Sequence, residues 1–379
     1  MNNNSLVQGK LIALVSNSTW AVYNFRIDLV RFLCQRGYRV LVIAPEDEFA
    51  RLLEVEGCIY CPINFNNRSE NPFRDLNLYI SLRRIYKRYG PNLIFHYVIK
   101  PNIYGSLAAA SLGIKSVAIV TGLGYSFARK NWLYHVVRIL YKRSLRRTEE
   151  IWFLNNEDAH IFIRANIVDI KKIRVLPGEG INTEYFSPSN HKIQPEGGVF
   201  RFLMSTRLLR SKGVGVYADA ASILRKKNYK VHFDLIGFFE KHHPDSVPEE
   251  DLAKWEKDGL IKYHGFAKDV RPYLEDADCF VFPSFYNEGV PRSLMEAASM
   301  ELPIITSLNR GCKEVVHHQT NGYLCNPNDP FDLADKMETM MQIPVGERIA
   351  MGRNGRALVK QKFNIGRVLD EYARTLANI

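Results

Sequence analysis

The sequence lacks any apolar run long enough to cross a membrane. Hydrophobic stretches such as LIF and CFVF hold only a few residues, whereas a spanning helix needs about 20. The start, MNNNSLVQGK, is polar, and the LIALVS that follows is too short for the core of a signal peptide. We therefore expect a chain that is soluble or that rests on a membrane surface.

Cysteine is scarce, and it shows no repeated metal-ligand spacing. The 6 cysteines are scattered, and Cys58 and Cys61 form a lone C-x-x-C in a strand-like segment. Buried thiols fit this pattern better than a zinc or redox site, and a reducing compartment fits the cysteine usage. The histidine pairs at 242–243 and 317–318 lack the carboxylate pattern of a metal site, and no G-x-S-x-G hydrolase elbow occurs. We therefore expect no metal site.

Acidic residues are scarce in the first half of the chain. Up to Gly180 there are 25 Lys and Arg against 14 Asp and Glu, whereas the remaining residues hold 26 of each kind. The net charge of +11 therefore belongs to the first half. This asymmetry favours an anionic partner, which is nucleic acid, an acidic membrane surface or a phosphorylated substrate.

Short apolar segments that alternate with amphipathic helical segments are abundant. Segments 10–16, 39–44 and 93–98 are apolar almost throughout, which is typical of parallel strands covered by helices on both faces. After a segment rich in Pro, Gly and Ser at 177–194, the cycle restarts with the apolar segment 200–205. The pattern predicts an α/β protein with two open parallel sheets, and ligands usually bind in the cleft between such domains.

The stretch 279–305, CFVFPSFYNEGVPRSLMEAASMELPII, predicts a strand, a polar loop and a helix that begins at Pro291. A helix N-terminus offers unpaired N–H groups and a positive partial charge to an anion such as phosphate. Glu288 and Glu296 flank this end, and Gly289 permits a close approach to the backbone. Carboxylates repel phosphate, so they fit better as acceptors for the hydroxyls of a nucleotide-sugar. An ordinary βα turn with solvated Glu side chains explains the same pattern.

Two basic residues follow the first strand of the second half. Arg207 and Lys212 lie in STRLLRSKG at 205–213, where a strand is expected to end. Arg can bind a diphosphate as a bidentate fork and Lys as a point charge. Gly213 also begins a G-x-G-x-x-A match to the dinucleotide fingerprint, but it lies several residues too far from the strand, so we reject a nicotinamide site.

Three loops at the carboxyl ends of first-half strands are candidate ligand loops, because ligands bind at these ends in parallel sheets. The second loop contains His96, which is either a ligand-binding group or a packed core histidine. The candidate acceptor or cleft residues in these loops are Asn17, Ser18, Thr19, Lys100, Thr121, Gly122 and Gly124.

The segment 131–147, NWLYHVVRILYKRSLRR, predicts an amphipathic helix. Its apolar residues recur at helical spacing, and 129–147 holds seven basic residues and no acidic one. Basic helices with aromatic anchors lie on anionic membrane surfaces, and a core-packed helix with a solvated basic face has the same pattern. The residues that we expect to meet a membrane are Trp132, Arg138, Lys142, Arg143, Arg146 and Arg147.

Nearly the whole chain resembles the retaining glycosyltransferases of family 4, which have the GT-B fold. The resemblance is carried by STRLLRSKG (205–213), the Glu-x7-Glu spacing within 280–305, GCKEVV (311–316), NGYLCNPND (321–329) and GINTEYFSP (180–188). Within the family the chain is most similar to bacterial transferases that build capsule, O-antigen or N-glycan precursors on polyprenyl diphosphate. IKPNIYGSLAA and the GLG turn are closest to N-acetylgalactosaminyltransferases and related amino-sugar transferases.

The resemblance implies two Rossmann-like domains that face each other across a cleft, with a last helix that crosses back to the first domain. It implies an acceptor-binding domain at 1–178, a linker at 179–194 and a nucleotide-sugar domain at 195–362. The returning helix is then 363–379.

The resemblance also implies residue roles. Arg207 and Lys212 would hold the donor diphosphate, Glu296 the ribose hydroxyls and Glu288 the hydroxyls of the donor sugar. Backbone amides around Ser293 and Leu294 would cap the phosphates. The catalytic set is then Glu288, Arg207 and Lys212, and the donor-binding set adds Gly289, Val290, Ser293, Leu294 and Glu296.

The implied reaction transfers a sugar with retention, without a metal ion or cofactor, through front-face attack on a UDP-sugar. The sugar is an N-acetylhexosamine, and the acceptor is a polyprenyl-diphosphate-linked glycan at the inner face of the cytoplasmic membrane. The chain is thus expected to be cytoplasmic and peripheral.

Two departures from the family concern the first half: 121–124 stands where many members have a His, and 17–19 where many have a Gly pair.

Two other functions remain open. A UDP-sugar 2-epimerase has the same fold, but it would release an epimer from UDP-N-acetylglucosamine without any acceptor. A nucleic-acid-binding protein would explain the basic first half, although no recognition module occurs in the sequence.

Overall fold

The structure, a computed structural model, describes residues 9–64, 71–123, 132–189, 198–240, 243–286 and 288–378. The chain forms two compact units, one of Met1–Glu179 with Ile365–Ile379 and one of Gly180–Asn364. Each unit contains one parallel sheet with helices. The predicted α/β class with two parallel sheets is therefore confirmed.

The first unit has a seven-stranded sheet in the order β3-β2-β1-β4-β5-β6-β7. Its central strands are buried along their whole length, as expected for a sheet covered on both faces. The strand order reverses between β1 and β4, which is the position where ligands bind in such sheets. The strands are β1 Leu11–Val15, β2 Arg39–Ala44, β3 Ile59–Pro62, β4 Leu93–Tyr97, β5 Lys115–Val120, β6 Glu150–Phe153 and β7 Ile173–Val175.

Three helices of the first unit begin at polar caps. Ser18, Asn71 and Asn155 each accept a hydrogen bond from a backbone N–H of the helix that follows. A π-helical turn, Pro101–Gly105, follows β4. The helices are α1 Thr19–Gln35, α2 Ala50–Val55, α3 Pro72–Tyr89, α4 Ser106–Ser111, α5 Trp132–Leu145 and α6 Asn156–Arg164.

The C-terminal helix, Ile365–Leu376, belongs to the first unit, as the fold prediction required. It buries a stripe at helical spacing, Val368, Tyr372 and Leu376. The Tyr372 hydroxyl lies 2.8 Å from the Tyr97 hydroxyl at the end of β4. The C-terminal helix is therefore fixed to the core of the first unit.

His96 in β4 is a packed core histidine, which resolves the two readings of this residue. It is fully buried, with Nε2 2.9 Å from the Tyr86 hydroxyl and Nδ1 3.2 Å from the Ser106 hydroxyl. A Cβ on Gly105 would lie 2.5 Å from the imidazole, so glycine is required beside the ring. Burial lowers the pKa of His96 to about 3.

The second unit has a six-stranded sheet in the order β10-β9-β8-β11-β12-β13. Its order reverses between β8 and β11, which pair in parallel. The strands are β8 Phe200–Ser205, β9 Val231–Ile236, β10 Lys262–Tyr263, β11 Cys279–Phe282, β12 Ile304–Ser307 and β13 Gly322–Cys325. The helices are α7 Val214–Lys226, α8 Glu249–Lys257, α9 Arg271–Asp276, α10 Arg292–Ser299, α11 Pro330–Gln342 and α12 Val345–Leu358.

The start of the second unit is tied to its helices by Arg356 of α12. The guanidinium donates to the carbonyls of Phe186, at 3.0 Å, and of Thr183, at 3.2 Å. The Ser299 hydroxyl at the end of α10 also donates to the Phe186 carbonyl. The described part of the predicted linker 179–194 thus packs within this unit from Gly180 onward, and its last residues lie outside the described part of the chain.

The cysteines are free thiols, and Cys58 is buried. Burial raises the pKa of the Cys58 thiol to about 12, so this thiol stays protonated. Among the described helices, none is both long enough and apolar enough to cross a membrane.

The buried His96 predicts a pH dependence of stability. The pKa of histidine in an unfolded chain is about 6.5, so between pH 6.5 and the folded value of about 3 the unfolded state binds a proton that the folded state excludes. The free energy of unfolding should therefore fall as the pH drops, by at most about 1.4 kcal/mol per unit from this residue.

Urea denaturation of the wild-type chain and His96→Gln between pH 7 and pH 5 measures this contribution. In His96→Gln the free energy of unfolding should fall less steeply with decreasing pH than in the wild type. The matched control His232→Gln, at an exposed histidine of β9, should show the wild-type pH dependence. Equal slopes in wild type and His96→Gln would contradict the assignment.

Candidate active site

The stretch 279–305 folds as strand, loop and helix, with one correction to its predicted bounds. Helix α10 begins at Arg292, and Pro291 is the residue that precedes it, with an extended ψ of 124°. Proline suits this position too, because its fixed φ fits and it has no N–H that needs a partner. Pro291 itself provides no side-chain cap to this helix, and an anion can bind the N–H groups of an uncapped helix end.

The carboxyl ends of β8 and β11 bring Lys212 and Glu288 together. Lys212 Nζ lies 2.5 Å from Glu288 Oε1, and both residues are about 8% exposed. The Ser284 hydroxyl lies 2.7 Å from the same carboxylate oxygen and is fully buried. The carboxylate is therefore held from two sides, with the Lys212 charge against it.

Gly213 explains why Lys212 can reach the loop after β11. Its φ is +84°, a left-handed conformation that favours glycine, and a Cβ there would lie 2.2 Å from the Pro283 carbonyl oxygen. The backbone of the turn after β8 can therefore pack directly on the end of β11. Gly213, which begins the G-x-G-x-x-A match, is thus explained by this close packing.

Arg207 and Glu296 each have a partner of opposite charge. Arg207 Nη1 lies 3.0 Å from Glu240 Oε2, and both side chains are partly exposed. Glu296 Oε1 accepts a hydrogen bond from Arg292 Nε at 2.9 Å, one helical turn earlier. The guanidinium of Arg207 stays accessible, and Arg292 adds a cation to the first turn of α10.

The loop after β12 holds the Glu288 loop in place, and sequence reasoning missed it. Asn309 Nδ2 donates to the Ser284 carbonyl at 2.6 Å, and Asn309 Oδ1 accepts from the Cys312 N–H at 3.2 Å. A Cβ on Gly311 would lie 1.5 Å from the Gly289 carbonyl oxygen, so the two loops touch through backbone alone. The only sequence signal for this loop is the family motif GCKEVV at 311–316.

Asp245 fixes the turn that carries Lys212, and no sequence pattern indicated it. Its carboxylate accepts hydrogen bonds from the Ser211 N–H at 3.0 Å and from the Ser211 hydroxyl. The Ser211 carbonyl in turn accepts from the Phe285 N–H at 2.9 Å. The two loops that carry Lys212 and Glu288 are therefore hydrogen-bonded to each other.

The remaining donor-site residues lie around the start of α10. Val290 and Leu294 are buried, and Gly289 and Ser293 are half-buried. The structure thus brings the predicted donor residues of 288–296 into one segment of the second unit. The role of each residue remains a prediction.

The predicted acceptor residues near β1 are mostly engaged in local structure. Ser18 caps α1, and Thr19 is buried with its hydroxyl donating to Asp47. Asp47 also accepts from the Trp20 N–H at 3.1 Å, so this carboxylate of the loop after β2 shapes the loop after β1. Asn17 is half-buried at the edge of the sheet.

Lys100 lies beside a carboxylate that sequence reasoning missed. Its Nζ is 2.7 Å from Asp75 of α3, which also accepts from the Tyr104 hydroxyl at 2.8 Å. Val98 has a φ of +65°, which is strained for a β-branched residue and occurs at functional sites. In the third loop Thr121 and Gly122 are half-buried, and Gly124 lies outside the described residues.

Helix α5 buries only part of the apolar set that its sequence pattern places on it. Val137, Tyr141 and Leu145 are buried, whereas Val136 is 40% exposed and Ile139 is 63% exposed. A stripe at i, i+4 and i+8 faces the core, and the wider apolar set of the helix extends onto the surface. The side chain of Trp132 lies outside the described part. Arg138 is half-buried, and the exposed basic residues are Lys142, Arg143, Arg146 and Arg147.

The loops after β8 and β11, together with the start of α10, combine groups that can stabilise a leaving diphosphate. Arg207 and Lys212 supply positive charge, and the first turn of α10 supplies N–H groups and a helix dipole. Within the described residues, no three His, Cys, Asp or Glu side chains converge as a metal site requires. Metal independence remains a prediction of the sequence.

Two family models match the chain, one in each half. The model described as Glycosyltransferase Family 4 matches residues 25–185, and the model described as Glycosyl transferases group 1 matches residues 200–342. The two family matches together define an enzyme that transfers sugars. The chain belongs to the family-4 glycosyltransferases with the GT-B fold.

Curated relatives cover most of the chain. An N,N'-diacetylbacillosaminyl-diphospho-undecaprenol alpha-1,3-N-acetylgalactosaminyltransferase of Campylobacter jejuni is 28% identical over 345 residues, which is 87% of this chain and 89% of the relative. A UDP-Gal:alpha-D-GlcNAc-diphosphoundecaprenol alpha-1,3-galactosyltransferase of Escherichia coli is 26% identical and covers 80% of both chains. The capsular polysaccharide glycosyltransferase CapM of Staphylococcus aureus is 23% identical and covers 88% of both.

Solved structures agree on the fold. Anabaena HepE in complex with UDP is 21% identical with a TM-score of 0.78, and the match covers 98% of this chain and 100% of that chain. A glycosyltransferase from Rickettsia africae has the same identity and TM-score and covers 97% of both chains. These likenesses support the GT-B fold.

Asn309 should be needed for activity through the position of the Glu288 loop. Asn309→Ala removes the donors to the carbonyls of Ser284 and, at 3.3 Å, Tyr286. Such a loss costs about 1–3 kcal/mol, or roughly one to two orders of magnitude in kcat/KM. Asn309→Asp keeps the acceptor for Cys312 but lacks the donors, so it should be impaired as well.

Sugar-transfer kinetics and thermal unfolding of both variants test this role. The matched control Asn326→Ala, at an exposed asparagine of the same unit, should transfer sugar at the wild-type rate. Wild-type kinetics in Asn309→Asp would rule out the role of the donated hydrogen bonds.

Proposed function

We propose that the chain transfers an N-acetylhexosamine from a UDP-sugar to a polyprenyl-diphosphate-linked glycan, with retention of the anomeric configuration and without a metal ion. The observation that carries the proposal is the buried Lys212 and Glu288 pair beside an uncapped helix end. A cation and a carboxylate held side by side suit a ligand whose diphosphate is joined to a hydroxylated sugar.

In this proposal the donor diphosphate lies at the first turn of α10. The amides of Ser293 and Leu294 bind the phosphates, and Arg207 and Lys212 balance the negative charge that grows as the UDP leaves. Because these donors are already in place, little reorganisation is needed when the bond breaks. For this reason the proposed reaction needs no metal ion.

Glu296 and Glu288 recognise the hydroxyl groups on the two sides of the diphosphate. Glu296 accepts from the ribose and is held in place by Arg292 at 2.9 Å. Glu288 accepts from the donor sugar, and Gly289 and Val290 line the approach. Oε1 of Glu288 already accepts from Lys212 and Ser284, which makes this carboxylate a weak nucleophile. Front-face attack by the acceptor hydroxyl then accounts for retention.

The acceptor is proposed from the relatives and from the charge of the first unit. The Campylobacter jejuni and Escherichia coli relatives are named for undecaprenyl-diphosphate-linked acceptors. Residues of the first unit that would contact the acceptor are Asn17, Ser18, Thr19, Lys100, Thr121, Gly122 and Gly124. A lipid-linked acceptor lies in a membrane, so the enzyme must reach a membrane surface.

We propose that α5 provides this contact at the cytoplasmic face of the membrane. Its exposed cations attract anionic headgroups, each for about 1 kcal/mol near the surface. Ile139 is 63% exposed among them and can enter the headgroup region. Trp132 and Arg138 extend the same helix toward its start. The localisation that follows is cytoplasmic and peripheral.

A panel of UDP-sugars with a membrane-extracted lipid acceptor tests the function. We expect transfer from an N-acetylhexosamine donor, an α-linkage in the product by NMR, and no loss of activity in EDTA. Release of an epimer from UDP-N-acetylglucosamine without acceptor would support the 2-epimerase alternative instead. Absence of transfer from every UDP-sugar to the lipid acceptor would contradict the proposal.

Glu296→Gln should weaken UDP binding. The substitution keeps the size of the side chain but removes the charged acceptor of the ribose hydroxyls, which is worth about 1.5–3 kcal/mol, or a roughly ten- to hundredfold rise in Kd. Calorimetric titration with UDP measures this change.

The matched control is Glu338→Gln in α11, which also removes the carboxylate of an ion pair, that with Lys227. It should bind UDP with the wild-type Kd. Near-normal affinity in Glu296→Gln, or an equal loss in both variants, would count against the ribose contact.

A further inference from the structure

A groove of about 660 Å³ lies between α4 and the end of α5 in the first unit. Its volume is within the range of about 300–1,000 Å³ that small-molecule sites occupy. None of the residues assigned to donor binding lines the groove. It is therefore a separate feature of the surface that carries the basic helix.

One side of the groove is strongly cationic. Lys142, Arg143, Arg146 and Arg147 line it, and among the described residues that line it none is acidic. Arg83 of α3 donates from Nε to the hydroxyl of the lining residue Ser111 at 3.1 Å, which brings a fifth cation to the rim. Such a concentration of positive charge favours a bound phosphate.

The other side of the groove is apolar. Its apolar lining consists of Leu107 and Ala110 of α4 and of Ile139 of α5, which is 63% exposed. A free phosphate ion would contact only the cations. An amphiphile with a phosphate joined to hydrocarbon would contact both sides.

The cationic side is held by buried anchors. Tyr141 and Leu145 fix the last turns of α5, since each is only 1% exposed. Lys172 Nζ donates to the Arg146 carbonyl at 2.9 Å and to the Thr148 carbonyl at 2.7 Å, which fixes the turn after the helix. The backbone that carries the arginines is therefore ordered before any ligand binds.

We propose that this groove binds the headgroup of one anionic phospholipid, with its phosphate on the arginines and the start of its acyl chains on Leu107, Ala110 and Ile139. The inference rests on the proposed membrane contact of α5 and deepens it. The membrane-facing surface would then bind one lipid molecule at a defined site, in addition to the general attraction between its cations and anionic headgroups.

A substitution that fills the groove without changing the charge tests the proposal. Ala110→Trp should weaken binding of short-chain phosphatidylglycerol by at least about tenfold, measured by titration calorimetry and native mass spectrometry below the micelle concentration. The wild-type chain should bind one molecule of this lipid. Ala253→Trp, at an exposed alanine of α8, is the matched control and should bind like wild type.

A second variant keeps the test decisive if Ala110→Trp does not fold. Ile139→Glu changes an exposed position and places a carboxylate in the groove. It should weaken binding of phosphatidylglycerol as strongly as Ala110→Trp does. Unchanged binding of phosphatidylglycerol in the folded variant or variants would overturn the proposal.

Other ligands distinguish the sources of the phosphate. Inorganic phosphate and short-chain phosphatidylcholine should each bind at least about tenfold more weakly than phosphatidylglycerol. Equal binding of inorganic phosphate would show that the apolar wall contributes nothing and would overturn the proposal. Tighter binding of farnesyl diphosphate, in competition, would assign the groove to the lipid acceptor and would also overturn it.

Vesicle sedimentation separates this proposal from the proposed membrane contact. Arg143, Arg146 and Arg147 changed together to Gln should abolish binding to vesicles that contain phosphatidylglycerol. If that loss occurs while the groove variants bind the short-chain lipid normally, only the groove proposal falls. If the triple variant binds vesicles and uses lipid acceptor like wild type, the membrane contact of α5 is wrong, and the groove proposal falls with it.

Discussion

The buried contact between Lys212 and Glu288 is the interaction on which the donor segment depends. Removing one partner of such a pair leaves an uncompensated buried charge, which costs about 3–5 kcal/mol. The pair persists because Ser284 donates to the same carboxylate and because Gly213 lets the two loops approach. A phosphate ligand would offer Lys212 a second anionic partner beside Glu288. Lys212 and Glu288 are thus held in place by contacts within the second unit.

The position of this pair follows from the sheet of the second unit. β8 and β11 pair side by side although they are far apart in sequence, and the strand order reverses between them. The loops that follow these two strands therefore meet at one edge. Asp245 holds the first loop, and Asn309 with Gly311 holds the second. The site is a set of loops hydrogen-bonded to one another on a parallel sheet, which suits the recognition of a nucleotide-sugar.

The sequence predicted the two parallel sheets and the strand, loop and helix of 279–305 well, because these depend on local patterns: apolar strands, helix starts and short motifs. It could not predict the contacts that join the loops, because Lys212 and Glu288 are 76 residues apart and Asn309 carries no local signal. Burial of His96 and exposure of Ile139 depend on which stripe meets the core. Periodicity alone leaves both open. The residue roles were implied by the resemblance to family 4 and not by local patterns in the sequence.

The central claim is that the second unit binds the diphosphate of a UDP-sugar at the start of α10. A crystal structure of the chain with UDP bound tests it most directly. We predict that the phosphate oxygens lie within hydrogen-bond distance of the Ser293 and Leu294 amides and of Arg207 or Lys212, with the ribose hydroxyls on Glu296. A diphosphate bound elsewhere, or a ribose that does not contact Glu296, would contradict the account.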